Sequence, residues 1–155
     1  MENIILDMYG INGIKEQELF DTFEDLKYHL DENDIDECIA MDNCTFTLDG
    51  NDIYCGGYDL DYLISMQDMY NEDEYKLLAI AETEGLKRVG DYFEDSRLYR
   101  NMDMIDIAED FIDNCYPKNR EIELLLRYFD YKAFANDMKT NCKFIDTSYG
   151  ILELY

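Results

Sequence analysis

A surplus of 24 negative charges, 37 acidic side chains against 13 basic ones in 155 residues, is the feature that most restricts how this chain folds. Like charges at neighbouring helix positions destabilise by roughly 0.2–0.5 kcal/mol per pair, and a compact charged chain repels itself. Each element therefore needs an apolar stripe that holds it in place while its carboxylates face water. The composition supplies one: 47% of residues are hydrophobic and 14% aromatic, enough for a core in one to three small units. A folded protein is expected rather than an acidic disordered tail.

Residues 103 to 138 show the pattern most clearly. Asp103 is placed to cap a helix whose apolar positions Met104, Ile107, Ala108, Phe111, Ile112 and Cys115 share one side. Asp106, Glu109, Asp110 and Asp113 are left on the other. Pro117 stops that helix. Asn119 then caps a second, with Ile122, Leu125, Leu126 and Phe129 inward, and Asp130 caps a third, with Phe134 and Met138 inside.

Upstream, residues 1–57 predict a strand from Asn3 to Met8 and a helix from Glu16 to Glu32 with Leu19, Phe23, Leu26 and Leu30 buried. Strands follow over Glu37 to Met41, Thr45 to Leu48 and Ile53 to Cys55, the last two joined by an Asp49-Gly50-Asn51 turn. Glu18, Asp21, Glu24, Asp25 and Asp31 point to water. Gly56-Gly57 marks a boundary, after which residues 58–98 read as helical with little else. Asn71 and Glu74 have the spacing of a capping box, with Asp73 favourable to the helix dipole; Leu77, Leu78 and Ala81 continue inward until Gly85. Leu86 to Phe93 adds a short helix anchored by Val89 and Phe93. Asp59, Asp61, Asp68, Glu72, Asp73 and Glu82 form the acidic face of this middle segment. The third segment is 99–155. Such small pieces bury little alone, so a packed, elongated row of three units is expected rather than beads on linkers.

Charge is uneven along the chain, with net values of −13 for residues 1–57, −7 for 58–98 and −4 for 99–155. If two copies associate, repulsion is least where the C-terminal thirds meet, which predicts a two-fold homodimer through that domain. Leu125, Tyr128, Phe129 and Tyr131 are the candidate contacts, and each is equally suited to a plain core position.

Several classes of chemistry are disfavoured. Cys38, Cys44, Cys55, Cys115 and Cys142 form no C-x-x-C pair and read as buried free thiols in a reducing compartment. His29 is the sole histidine, and Ser65, Ser96 and Ser148 lie in no nucleophile motif. The run Asp31-Glu32-Asn33-Asp34-Ile35 puts Ile where a calcium loop needs a ligand. No Gly-rich phosphate loop occurs, and the charge excludes a basic nucleic-acid patch. No enzyme activity, cofactor or metal is expected, nor direct nucleic-acid or membrane binding. The N-terminus shows no leader and no span is long enough for a membrane, which predicts a cytoplasmic protein, in the host cytoplasm if a phage or mobile element encodes it.

A chain of this length has a radius of gyration of roughly 15 Å and spans about 40 Å. B-DNA of that length carries about 24 charges, so the two linear charge densities are alike.

The run LLLRYFDYKAFANDM, followed by a short hairpin, resembles the last domain of the ArdA antirestriction proteins, where a YIDY or YFDY element precedes an A-[FIY]-[AG]-x-D-[LM] helix. DMIDIAEDFIDNCY is similar to the acidic helix before it, and LDYLISMQDMYNEDEYKLLAIAETEG to the family's helical middle domain. The resemblance spans residues 58 to 155 and fades upstream, where the N-L-x-x-Y-N and G-x-W signatures are missing and no Trp occurs in the chain. Together with the strands and helix read over residues 1–57, it implies an α+β fold: an N-terminal α/β domain with a short antiparallel sheet, a middle helical bundle, and C-terminal helices plus a β-hairpin. It also implies an elongated dimer imitating bent duplex DNA, aimed at the DNA-binding subunits of a type I restriction-modification enzyme. A CRISPR effector or another DNA-binding defence protein is the alternative target. An acidic interaction module without mimicry is the alternative class.

Overall fold

Ile4, Leu6 and Met8 recur at every second position and are all buried in the computed structural model, which describes residues 1–117 and 119–155. That period of two builds strand β1 (Glu2–Asp7). Beyond a short helix α1 (Tyr9–Asn12), strand β2 (Gln17–Phe20) returns antiparallel to β1, with Leu19 opposite Ile5. Strand β3 (Cys44–Leu48) lies on the other side of β1, and β4 (Asn51–Tyr54) forms an edge, giving the order β2-β1-β3-β4. Between β3 and β4, Asp49 has φ 48° and Gly50 φ 74°. Two successive positive φ values make a type I′ hairpin turn, to which Asp-Gly is suited, as the sequence predicts.

Helix α2 (Phe23–Glu32) opens on Thr22, whose side chain accepts from the Asp25 N–H, and buries Phe23, Leu26 and Leu30. The Phe23 ring meets Phe46 of β3 edge-on, 5.4 Å between centroids, which fixes α2 on the sheet. Helix α4 (Leu60–Glu72), capped by Asp59, packs beside α2 and buries Leu60, Leu63 and Met66. Gln67 joins the two. Its buried Oε1 accepts the Phe23 N–H at 2.9 Å and its Nε2 donates to the Asp21 carbonyl at 3.3 Å. One side chain of α4 thus satisfies an N–H in the first turn of α2 that has no intrahelical partner.

Three expectations for this region are overturned. The helix predicted from Glu16 begins at Phe23, because residues 17–20 pair with β1 and leave Leu19 70% exposed. Glu37–Met41 is a helix, α3, rather than a strand; Asp36 Oδ1 accepts the Ile39 N–H at 3.1 Å, and this cap outweighs a weak alternation. Asn71 caps nothing, since α4 runs through it to Glu72 and ends at Asp73, before α5 (Glu74–Glu84).

These elements up to Glu74 form one compact unit, and Tyr75–Tyr155 forms a second. Of the expected middle segment 58–98, α4 belongs to the first unit and nearly all the remainder to the second. In the second unit, α5 buries Leu77, Leu78, Ala79 and Ile80. A 3-10 turn (Leu86–Arg88) leads into α6 (Val89–Tyr92), with Val89 and Phe93 buried as predicted. Residues 58–98 are not wholly helical, however. Strand β5 (Ser96–Tyr99) pairs with β7 (Gly150–Leu154), which pairs with β6 (Lys143–Thr147) in the order β5-β7-β6. The partner of β5 lies some fifty residues downstream, beyond the reach of a local pattern.

Helices α7 (Met104–Cys115), α8 (Arg120–Leu126) and α9 (Tyr131–Asn141) start at the predicted caps Asp103, Asn119 and Asp130. Tyr99, Ile107, Phe144 and Ile151 form a core cluster, with Met102, Met104 and Met138 against it. Gly150 is obligatory there: its φ is 142°, and a Cβ would lie 2.4 Å from the Tyr99 carbonyl oxygen. The predicted inner faces are only partly buried. Phe111 is 46% exposed and Cys115 exposed; α8 buries no residue, Leu125 being 68% exposed.

Candidate acidic interaction surface

Division of the charge by unit is sharper than division by sequence segment. Met1–Glu74 contains 21 acids and two bases, a net −19, whereas Tyr75–Tyr155 contains 16 acids and 11 bases, a net −5. In the first unit the apolar stripes of α2 and α4 turn inward, so their carboxylates share the outward side. Glu24, Asp31 and Asp61 line one shallow depression between these helices, together with Lys27. Lys27 Nζ donates to Asp61 Oδ1 at 2.5 Å, and this hydrogen bond, followed by the attraction of the same carboxylate, raises the lysine pKa. Both groups are largely exposed, so the bridge adds little stability. It does hold part of the acidic face in register across two helices. Nothing local in the sequence pairs residues 27 and 61, and the scarcity of bases in this unit was the sole signal.

Further along α4, Asp68 and Glu72 are exposed on successive turns, while Asp73 is half-buried at the helix end. Asp21 is exposed, with its carbonyl engaged by Gln67. Two acids of this set serve local structure. Asp25 Oδ2 accepts from the Thr22 hydroxyl at 2.7 Å, and Asp59 caps α4. Glu18 lies on β2 rather than on the helix predicted for it, with Oε2 3.0 Å from His29 Nε2; the imidazole also packs on Phe20, 5.2 Å between ring centroids.

In the second unit the predicted acids divide differently. Glu82 accepts from the backbone and hydroxyl of Ser148 in the β6–β7 turn, so it secures the hairpin. Its neighbour Glu84 accepts from Lys143 Nζ at 2.7 Å, which holds that carboxyl below its usual range. Asp106 closes a capping box: its Oδ2 accepts the Asp103 N–H at 2.8 Å, and Asp103 Oδ1 accepts the Asp106 N–H at 2.9 Å. Glu109 and Asp113 are exposed. Asp110 lines a cavity of about 520 Å³ between α7, α9 and the sheet, walled by Ile107, Phe111, Phe134 and Met138. There Tyr99 and Tyr155 both donate to Glu153 Oε2 at 2.9 Å, and burial followed by that bond pushes the Tyr99 hydroxyl up.

The candidate contacts for association lie on and after α8. Leu125 and Tyr128 are 68% and 90% exposed, Phe129 is 37% exposed, and Tyr131 is half-buried against the Phe129 ring; Leu124, outside the predicted set, is also 48% exposed. Of the cysteines, only Cys44 and Cys55 are buried; Cys38, Cys115 and Cys142 are exposed, contrary to expectation, because each sits on or next to a helix end or face turned to solvent. Among the described residues, no three His, Cys, Asp or Glu side chains are grouped to hold a metal ion, and no helix is long and apolar enough to cross a membrane.

Fold and surface together define an acidic α+β protein whose charge is concentrated on its N-terminal unit. A family model described as antirestriction protein (ArdA) matches residues 4–153, and the chain belongs to this family. The match begins at residue 4, so membership extends over the N-terminal unit, upstream of the region where the resemblance is legible by eye. A search of curated proteins gave no significant match.

Proposed function

We propose that this protein is a noncatalytic inhibitor that occupies the DNA-binding channel of a type I restriction-modification enzyme by presenting its N-terminal unit in place of duplex DNA. The observation that carries this reading is the net −19 held in Met1–Glu74. A unit of that length has a radius of gyration of roughly 11 Å and a diameter of about 29 Å. B-DNA carries about 17 charges over the same distance. Carboxylates one helical turn apart lie about 5–6 Å from each other, comparable to neighbouring phosphates on a strand. Lysines and arginines arranged for phosphates then pair with them and release counterions as they would on DNA.

Titration into a type I methyltransferase bound to labelled duplex tests this directly. The expected result is displacement that weakens steeply with added salt. No displacement at high excess overturns the type I assignment and turns the search to CRISPR effectors and other DNA-binding defence proteins. Partner binding that duplex DNA does not compete with would instead mark a plain acidic interaction module.

The same reading includes a homodimer through the C-terminal unit, supported by its low net charge and by the exposure of Leu124, Leu125 and Tyr128. Sedimentation at micromolar concentration should show a dimer, and Leu125→Asp with Tyr128→Asp should convert it to monomer by placing charge in an apolar contact. A wild-type chain that sediments as a single monomer would rule the dimer out.

A further inference from the structure

The last pair of the β3–β4 ladder is a pair of thiols. Thr45 stands opposite Tyr54, and one step further the register places Cys44 opposite Cys55, where the Cys55 N–H donates to the Cys44 carbonyl at 2.9 Å. Directly opposed residues on antiparallel strands project to the same face of the sheet. Here that face is the core, and both side chains are 0% exposed. A hydrogen-bonded antiparallel pair has its Cα atoms about 5.5 Å apart, inside the range of roughly 4.4–6.8 Å that a disulfide spans. The Cys44 thiol itself donates a weak hydrogen bond to the Thr45 carbonyl oxygen, Sγ to O 3.8 Å. Hydrogen bonding between the paired thiols holds Cys44 below the usual thiol range, while the same interaction, followed by burial, pushes Cys55 up.

We propose that Cys44 and Cys55 form an oxidisable dithiol site that hydrogen peroxide converts to an intrachain disulfide, stapling edge strand β4 to β3. Cys44 acts first: its thiolate attacks one peroxide oxygen, the O–O bond breaks, hydroxide leaves, and a sulfenic acid forms. The Cys55 sulfur then attacks the Cys44 sulfur, the S–O bond breaks, and the hydroxyl leaves as water with the Cys55 proton. Two thiols lose two electrons and two protons, and one peroxide becomes two waters. Access is set by the end of an edge strand. Cys55 is the residue after β4 and is followed by Gly56 and Gly57, so local opening there admits a small oxidant. The exposed thiols Cys38, Cys115 and Cys142 are oxidised without such opening.

Folded full-length protein is treated with peroxide, unfolded in denaturant with N-ethylmaleimide to block remaining thiols, and cut before aspartates. The expected product joins the peptides Asp42–Leu48 and Asp52–Tyr58, with Cys38 on a separate peptide. The joined species should raise Tm by roughly 5–10 °C, because the closed loop restricts the unfolded chain, and dithiothreitol should reverse the rise. Cys55→Ser should leave Cys44 oxidised without any joined peptide. Recovery of both peptides in alkylated form, at a peroxide dose that consumes Cys38, overturns the proposal. So does a link from either cysteine to Cys38, Cys115 or Cys142, a link formed only in unfolded chain, or a link without a rise in Tm.

Discussion

Replacing Glu24, Asp31, Asp68 and Glu72 together by their amides should weaken displacement of duplex DNA from the target enzyme by a factor of about 30 to 1,000, with the fold intact. All four are exposed on α2 and α4, and none serves as a helix cap. If each contributes about 0.5–1 kcal/mol to the contact, as exposed charge pairs do, the set contributes about 2–4 kcal/mol. One substitution alone should cost only about two- to fivefold, because the attraction is a summed field. The slope of log affinity against log salt should fall by about 3–4, one counterion-release step per carboxylate removed. Competition assays at several salt concentrations, with circular dichroism to establish folding, measure all of this. Full potency in the folded fourfold variant would defeat the mimicry reading.

The α7 set Asp106, Glu109, Asp110 and Asp113 is a poorer test, although the sequence alone favours it. Asp106 closes the capping box, so its removal costs helix stability as well as charge. Asp110 faces the cavity. Glu109 and Asp113 are exposed, but on a unit whose net charge is −5 against −19 for the first.

Phe46→Ala should destabilise the N-terminal unit by about 3–5 kcal/mol, the usual cost of emptying a buried aromatic site. Phe46 is fully buried in β3 and meets Phe23 edge-on at the first turn of α2, so the loss removes both the burial and the aromatic contact. Domains are stable by about 5–15 kcal/mol in total, so a large part of the margin disappears. Helix α2 carries Glu24 and Asp31, and inhibition should fall with it. Urea unfolding followed through the N-terminal unit gives the value. A loss under about 1 kcal/mol would show that α2 is held elsewhere.

Much of the fold was legible because its determinants lie within a turn or two of chain. Asp103, Asn119 and Asp130 each place a side-chain acceptor just ahead of an apolar periodicity, and each starts a helix. Asp49-Gly50 tolerates two positive φ values, and a hairpin turn forms there. Residues 16–32 misled because Leu19 on a strand and Phe23, Leu26 and Leu30 on a helix happen to continue one spacing. Leu125 and Phe129 misled for another reason: an apolar stripe shows that a face seeks cover, not that its own chain supplies it.

By itself the sequence determined the charge surplus, the capped amphipathic elements that carry it, and a recognisable likeness to the ArdA proteins over residues 58 to 155. These follow from composition, from hydrogen bonds between near neighbours, and from periods of two and 3.6. Tertiary structure alone decided that Glu82 is taken up by the β6–β7 turn while Glu24, Asp31 and Asp61 share an open face. It also paired β5 with β7 and Gln67 with Phe23. Such pairings bring together residues distant along the chain or on separate strands, and they arise only when packing closes the intervening loop, so no local pattern encodes them.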